Sequence, residues 1–172
     1  MFHESQTLPN PGILNDIQIL VVDSDADNQY FHKTLLEIYG AQVTTLESIA
    51  DALVSLDYLI PDILICDIRF FGEDILSLIQ RIKTVASDRE REIPILVVSA
   101  YCSADFARNL LTMIEDSLLK PIDINHLVNK VWNLVHLAKS TQKVNSPAWV
   151  EGHRVYTKCH ATATKHLATS LI

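Results

Sequence analysis

Four short apolar runs in this chain each end on a residue able to do chemistry: Ile17–Val22 on Asp23, Ile63–Cys66 on Asp67, Ile95–Val98 on Ser99, and Leu118–Leu119 on Lys120. Two carboxylates, a hydroxyl and an ammonium make a set suited to phosphoryl transfer onto a carboxylate. One carboxylate attacks phosphorus and becomes an acyl phosphate, while the in-flight group spreads negative charge over its oxygens. That charge calls for a hard cation, an ammonium and a hydroxyl donor. Asp23 and Asp67 can share Mg²⁺, Lys120 can pair with one phosphoryl oxygen, and Ser99 can donate to another. Each residue alone has a plainer reading: Asp23 or Asp25 as a helix cap, Ser99 as a buried hydroxyl, Lys120 as a surface charge. Their shared position at strand ends carries the argument, so the set stands or falls together.

The elements that must position them follow from periodicity. Short apolar runs alternate with stretches of helical period, which marks a βαβ chain with a parallel sheet. The expected strands are Ile17–Val22, Gln42–Thr45, Ile63–Cys66, Ile95–Val98 and Leu118–Leu119 with its flanks. The expected helices are Asp27–Tyr39, stopped by Gly40, then Ser48–Leu56, Ile75–Val85, Ser103–Met113 and Ile124–Leu137. The first should align Phe31, Leu35 and Ile38 on its buried face, the second Ile49, Leu53 and Leu56. The third should align Ile75, Ile79 and Ile82, and the last Leu127, Val131 and Leu134. In an open α/β sheet, ligands bind outside the carboxyl ends of the strands. The run Ile63–Cys66 reads as a strand buried on both faces, where an unpaired carboxylate is expensive, so Asp67 must lie just past it.

Bulk properties set the frame. With 172 residues and 48% apolar composition the chain has ample material for one core. The expected organisation is a mobile leader over 1–16, one domain over 17–138, and an extension over 139–172. No window approaches the ~18 apolar residues of a membrane span, and the start lacks the pattern of a secretory signal, so the expected location is the cytoplasm. Three cysteines at unrelated spacings read as reduced thiols, with Cys66 inside the core. Residues 1–138 hold nine Lys or Arg against twenty Asp or Glu, net −11, and residues 139–172 hold five against one, net +4. An acidic body repels nucleic acid. In the extension, His153, Cys159, His160 and His166 match no zinc ligand spacing.

The segments ILVVDSDADN, PDILICD, IPILVVSAY and LLKPID, in this order, resemble the receiver domain of bacterial two-component response regulators over roughly residues 17–137. The resemblance implies a flavodoxin-like (βα)₅ fold, doubly wound, with strand order 2-1-3-4-5. It implies Asp67 as phosphoacceptor, Asp23 in an acidic Mg²⁺ pocket, Ser99 as switch hydroxyl, Lys120 as the phosphoryl contact, and a cis peptide before Pro121. The implied partners are a sensor histidine kinase or phosphotransfer protein upstream and another protein downstream, with no nucleic acid, no membrane and no enzymatic turnover.

The departures from that family bear on mechanism. Ser24 stands where a second acid usually touches Mg²⁺; Phe71, Ile75 and Ser117 replace a proline, a glycine and an aromatic. They motivate an alternative, a phosphorylation-independent binding module in which Asp67 and Lys120 form a fixed ion pair. A more remote alternative is a haloacid-dehalogenase-like phosphatase, with Asp23 as nucleophile and Asp25 as acid, which leaves Asp67 without a role. DSDADN also mimics a calcium loop, but Asn28 and Thr34 stand where glycine and the bidentate glutamate belong.

Overall fold

The computed structural model describes residues 10–70, 74–100 and 112–145. Its elements run β1 (Gln18–Val22), α1 (Ala26–Ile38), β2 (Gln42–Leu46), α2 (Ile49–Ser55), β3 (Ile63–Cys66), α3 (Ile75–Asp88), β4 (Ile95–Ser99), β5 (Asp116–Leu119) and α4 (Ile124–Asn145). The five strands pair in parallel in the order β2-β1-β3-β4-β5, the order expected. The helix expected over Ser103–Met113 falls outside the described residues apart from Thr112 and Met113, which form a turn.

Every residue of β3 and β4 is buried, as a parallel strand covered on both faces must be. Alternate side chains feed two cores. Ile19, Val21, Ile63, Ile65, Leu96 and Val98 pack beneath α1 and α4, where Leu35, Leu36, Leu127, Val128, Val131 and Val135 meet them. Leu20, Val22, Leu64, Cys66, Ile95 and Val97 pack beneath α2 and α3, against Ile49, Ala52, Ile75, Leu78, Ile79 and Ile82. Each helix starts on an oxygen that satisfies an otherwise unpaired amide. Asp25 accepts from Asn28 N, Ser48 from Asp51 N, Asp74 from Leu76 N and Asp123 from His126 N.

The buried face of α1 differs from the expected one. Its buried residues are His32, Leu35 and Leu36, whereas Phe31 and Ile38 are 38% and 67% exposed. Apolar residues occupy two neighbouring stripes of this helix, so period alone does not choose between them. The choice comes from the two anchored ends, the Asp25 cap and the turn at Gly40, whose φ of 97° ends the helix in the left-handed region. In α2 the buried side is Ile49, Ala52 and Ser55, with Leu56 just after it buried as expected and Leu53 only partly covered. In α4 Leu127 and Val131 are buried as expected, while Leu134 is partly covered.

The folded body extends beyond both expected ends. Leu14 has no exposed surface, and its amide donates to the carbonyl of Tyr39 at 2.9 Å, so residues 10–16 form a turn closing the core beneath β1. At the other end α4 runs through residue 138 to Asn145. Lys139 lies 3.5 Å from Asp62 Oδ1, which also accepts from Arg91 Nη2 at 2.7 Å, while Asp62 Oδ2 accepts from Gln18 N at 2.9 Å. That carboxylate ties the start of β1 to the start of β4 and to α4.

Candidate functional site

Register explains why the strand-end residues converge. Val22 pairs with Cys66, so the next residues, Asp23 and Asp67, leave adjacent strands at the same level, and Asp67 N donates to Val22 O at 3.0 Å. Ser99 ends β4 opposite Leu119, and its carbonyl accepts from Lys120 N at 2.9 Å. Strands lie ~4.8 Å apart, so Lys120 starts about 10 Å from β3 and only a long side chain reaches back across β4. It does so. Lys120 Nζ donates to Asp67 Oδ2 at 2.8 Å and to Asp23 Oδ2 at 3.1 Å. The peptide between Lys120 and Pro121 is cis.

Both carboxylates are nearly sealed from water, Asp23 at 3% exposure and Asp67 at 4%. Burial alone would make two such anions costly, and the shared ammonium with backbone donors offsets that cost. Asp23 Oδ1 accepts from Asp25 N at 2.9 Å and Asp67 Oδ1 from Arg69 N at 3.1 Å. Gln29 Nε2 holds the Asp23 carbonyl at 2.8 Å. For Lys120, burial works against the charge, but the hydrogen bonds to Asp67 and Asp23 and their attraction outweigh it and hold its pKa above the ordinary lysine value. Cys66, directly below, is pushed up to about 12 by burial and then by the charges of Asp67 and Asp23, so it is a thiol and a core residue.

Asp25 does not turn toward this pocket. It is exposed and caps α1, so it offers neither a third carboxylate for a cation nor the acid beside Asp23 that a dehalogenase-like phosphatase needs. Ser24 is exposed too, and its hydroxyl donates to the Arg69 carbonyl at 3.3 Å, joining the β1–α1 and β3–α3 loops. Ser99 is 3% exposed at the end of β4. Ile75 is the buried first residue of α3 and Ser117 lies exposed in β5, while Phe71 and the extension's His and Cys residues lie outside the described residues.

One residue near the pocket escapes sequence reasoning. His32, on the second turn of α1, is 1% exposed, and among the described residues neither ring nitrogen has a hydrogen-bond partner. Burial lowers its pKa most; Asp23 opposes this and Lys120 reinforces it, while the Asn28 carbonyl, one turn back, and Asp67 favour the charged ring more weakly. The ring is therefore neutral at pH 7. No local signal distinguishes it from the exposed His126 or His136.

The chain matches the family model for the response regulator receiver domain over residues 19–132. It belongs to that family. Among similar curated proteins, the transcriptional regulatory protein ZraR of Escherichia coli K12 is 32% identical over 114 residues, 66% of this chain and 25% of ZraR. The regulator of RpoS of the same organism is 33% identical over 132 residues, 74% of this chain and 37% of that protein. The chain thus spans a quarter to about a third of these relatives. A response regulator from Thermotoga maritima superposes with a TM-score of 0.58 at 28% identity, covering 69% of this chain and 96% of that one. The receiver domain of a sensor histidine kinase from Pseudomonas aeruginosa, solved with magnesium coordinated in its active-site cleft, shares the fold at a TM-score of 0.62 and 23% identity, over 70% of this chain and 98% of that domain. The receiver acts within two-component signalling, and among the described residues no helix is long and apolar enough to cross a membrane.

Proposed function

We propose that this receiver accepts a phosphoryl group on Asp67 from the phosphohistidine of a sensor kinase or phosphotransfer protein and passes the signal on by protein contact. The observation that carries this reading is the pair of level, buried strand-end carboxylates joined by one ammonium. In the transfer, an Asp67 oxygen forms a bond to phosphorus as the phosphorus–nitrogen bond of phosphohistidine breaks, and the departing imidazole nitrogen takes up a proton. Lys120, already 2.8 Å from Asp67 Oδ2, follows the phosphoryl oxygens and offsets their charge. Ser99, at the end of the next strand, donates to another of those oxygens. The walls around Asp67 keep water from the acyl phosphate.

The donor set suits Mg²⁺: Asp23 and Asp67 offer hard carboxylate oxygens that already share one nitrogen, and solvent would supply the remaining ligands. When bound, the ion neutralises charge on the phosphoryl oxygens. Signalling without turnover of a small substrate, in the cytoplasm, completes the reading. Incubation with phosphoramidate and Mg²⁺ followed by intact-mass measurement tests it. A mass gain of one phosphoryl group is expected, absent in Asp67→Asn; a chain that stays unmodified, with partner binding indifferent to Asp67→Asn, would turn the site into a fixed ion pair in a binding module.

A further inference from the structure

The edge of the sheet away from the strand-end carboxylates carries a groove. Its helical side comes from α4, as Leu134, Leu137, Ala138 and Thr141. Its other side is Pro94 and Glu115, the residues leading into β4 and β5, with Glu92 beside them. The cavity measures about 250 Å³. Small-molecule sites run ~300–1,000 Å³, so this one is sized for a large side chain and not for a cofactor. Leu137 is 69% exposed. Glu115 is held by Lys83 Nζ and by the amide of Ile95, whereas Glu92 is exposed and, among the described residues, has no ion pair. An apolar lining with a carboxylate to spare suits an apolar anchor in a basic segment.

The chain supplies such a segment next to the groove. Residues 146–172, outside the described residues, follow α4, and the first large apolar residue among them is Trp149. They hold three basic residues, Arg154, Lys158 and Lys165, against one acid, Glu151, for a net charge of +2. Reach is sufficient. Thr141 and Leu137 lie ~6 and ~12 Å back along the helix from Asn145, at 1.5 Å per residue. The chain from Asn145 to Trp149 spans up to ~14 Å. We propose that this groove takes up the chain's own segment after Asn145, with Trp149 as its anchor. A side chain tethered this closely is present at an effective concentration on the order of millimolar, which favours it over a second copy or another protein. Burying an indole there removes a large aromatic surface from water together with that of Leu137. The groove lies at the opposite ends of the strands from Asp23 and Asp67, so its filling leaves the phosphoryl site open and does not depend on Asp67 being the acceptor.

The test reads Trp149 fluorescence in the full chain carrying Trp132→Phe, which leaves Trp149 as its single tryptophan. Emission at shorter wavelength than in the urea-unfolded chain, with acrylamide quenching several-fold weaker, is expected. Both should be unchanged on dilution and lost in Leu137→Gln, a neutral substitution at an exposed helical site. Emission and quenching like those of the unfolded chain would overturn the proposal, and so would protection that survives Leu137→Gln. Protection that disappears on dilution would give the groove to a second copy and overturn it equally. Trp132 packs against the core and stacks on His136, so a second measurement keeps it in place. Backbone amides of residues 134–141 should exchange several-fold faster in Trp149→Ser than in the natural chain, and equal rates would overturn the proposal.

Discussion

Replacing Lys120 by methionine keeps most of the side chain's length and removes only the charge, which isolates what the ammonium does. Among the described residues it is the one cation bonded to these two carboxylates, Asp23 and Asp67, which are 3% and 4% exposed, at 3.1 and 2.8 Å. Removing one partner of a buried ion pair costs ~3–5 kcal/mol, because the other partner stays buried and uncompensated. Here the site lies at the strand ends and the lysine side chain is 15% exposed, so water reaches part of it and the lower end applies, about 3 kcal/mol. Urea denaturation at pH 7 measures this as a lower midpoint at unchanged slope. Added Mg²⁺ should restore more stability to the variant than to the natural chain, since the cation no longer competes with an ammonium; at a hundredfold excess over its Kd the gain is ~2.7 kcal/mol. The pH dependence follows from the raised pKa of Lys120. A group held above its unfolded value contributes fully below that value, roughly 10.4 for lysine, and loses the contribution as pH rises through the folded one. The gap between natural chain and variant should therefore persist from pH 7 to 10 and narrow at more alkaline pH. A loss below ~0.5 kcal/mol at pH 7, with Mg²⁺ acting equally on both proteins, would refute the view that this ammonium neutralises the pair.

Two further outcomes probe residues outside the ion pair itself. For His32→Leu, the folded state lowers the pKa of His32 from 6.5, so its stability contribution is intact above pH 6.5 and falls as acid protonates the unfolded chain first. The variant should lose that acid sensitivity, at most about 1.4 kcal/mol per pH unit below 6.5, and matched urea midpoint-versus-pH curves for the two proteins would contradict it. For Gly40→Ala, a Cβ would sit 1.9 Å from Asn15 Oδ1 on a residue whose φ is 97°. A drop of at least about 1–2 kcal/mol is expected from the left-handed backbone alone, and an unchanged urea midpoint would contradict both that conformation and the close packing of Asn15 against the end of α1.

Much of this protein was legible in its sequence because the relevant signals are local. A buried parallel strand must be apolar from end to end, as Ile63–Cys66 and Ile95–Val98 are. A charged or hydroxyl residue placed immediately after such a run has nowhere to go but the crevice beyond it. That is why Asp23, Asp67, Ser99 and Lys120 could be named together, and why the α3 face of Ile75, Ile79 and Ile82 was readable from period. The resemblance to receivers added the strand order.

The remainder needed contacts between distant segments. Lys120 reaches Asp23 and Asp67 across 97 and 53 residues of chain, and only the order and register of β1, β3, β4 and β5 bring them within a lysine's length. Whether Asp25 faces a cation or caps a helix depends on where α1 begins, and the cap won because it satisfies the Asn28 amide. Leu14 reads as leader until the end of α1 supplies a carbonyl for its amide and the core a place for its side chain. His32 reads as an ordinary helical residue until α1 is rotated onto the sheet and its ring sealed beside the charges of the pocket. Local pattern determines which elements form and which residues end them; which side chains share a buried site is decided by how those elements are laid against one another, because burial and charge pairing belong to no single segment.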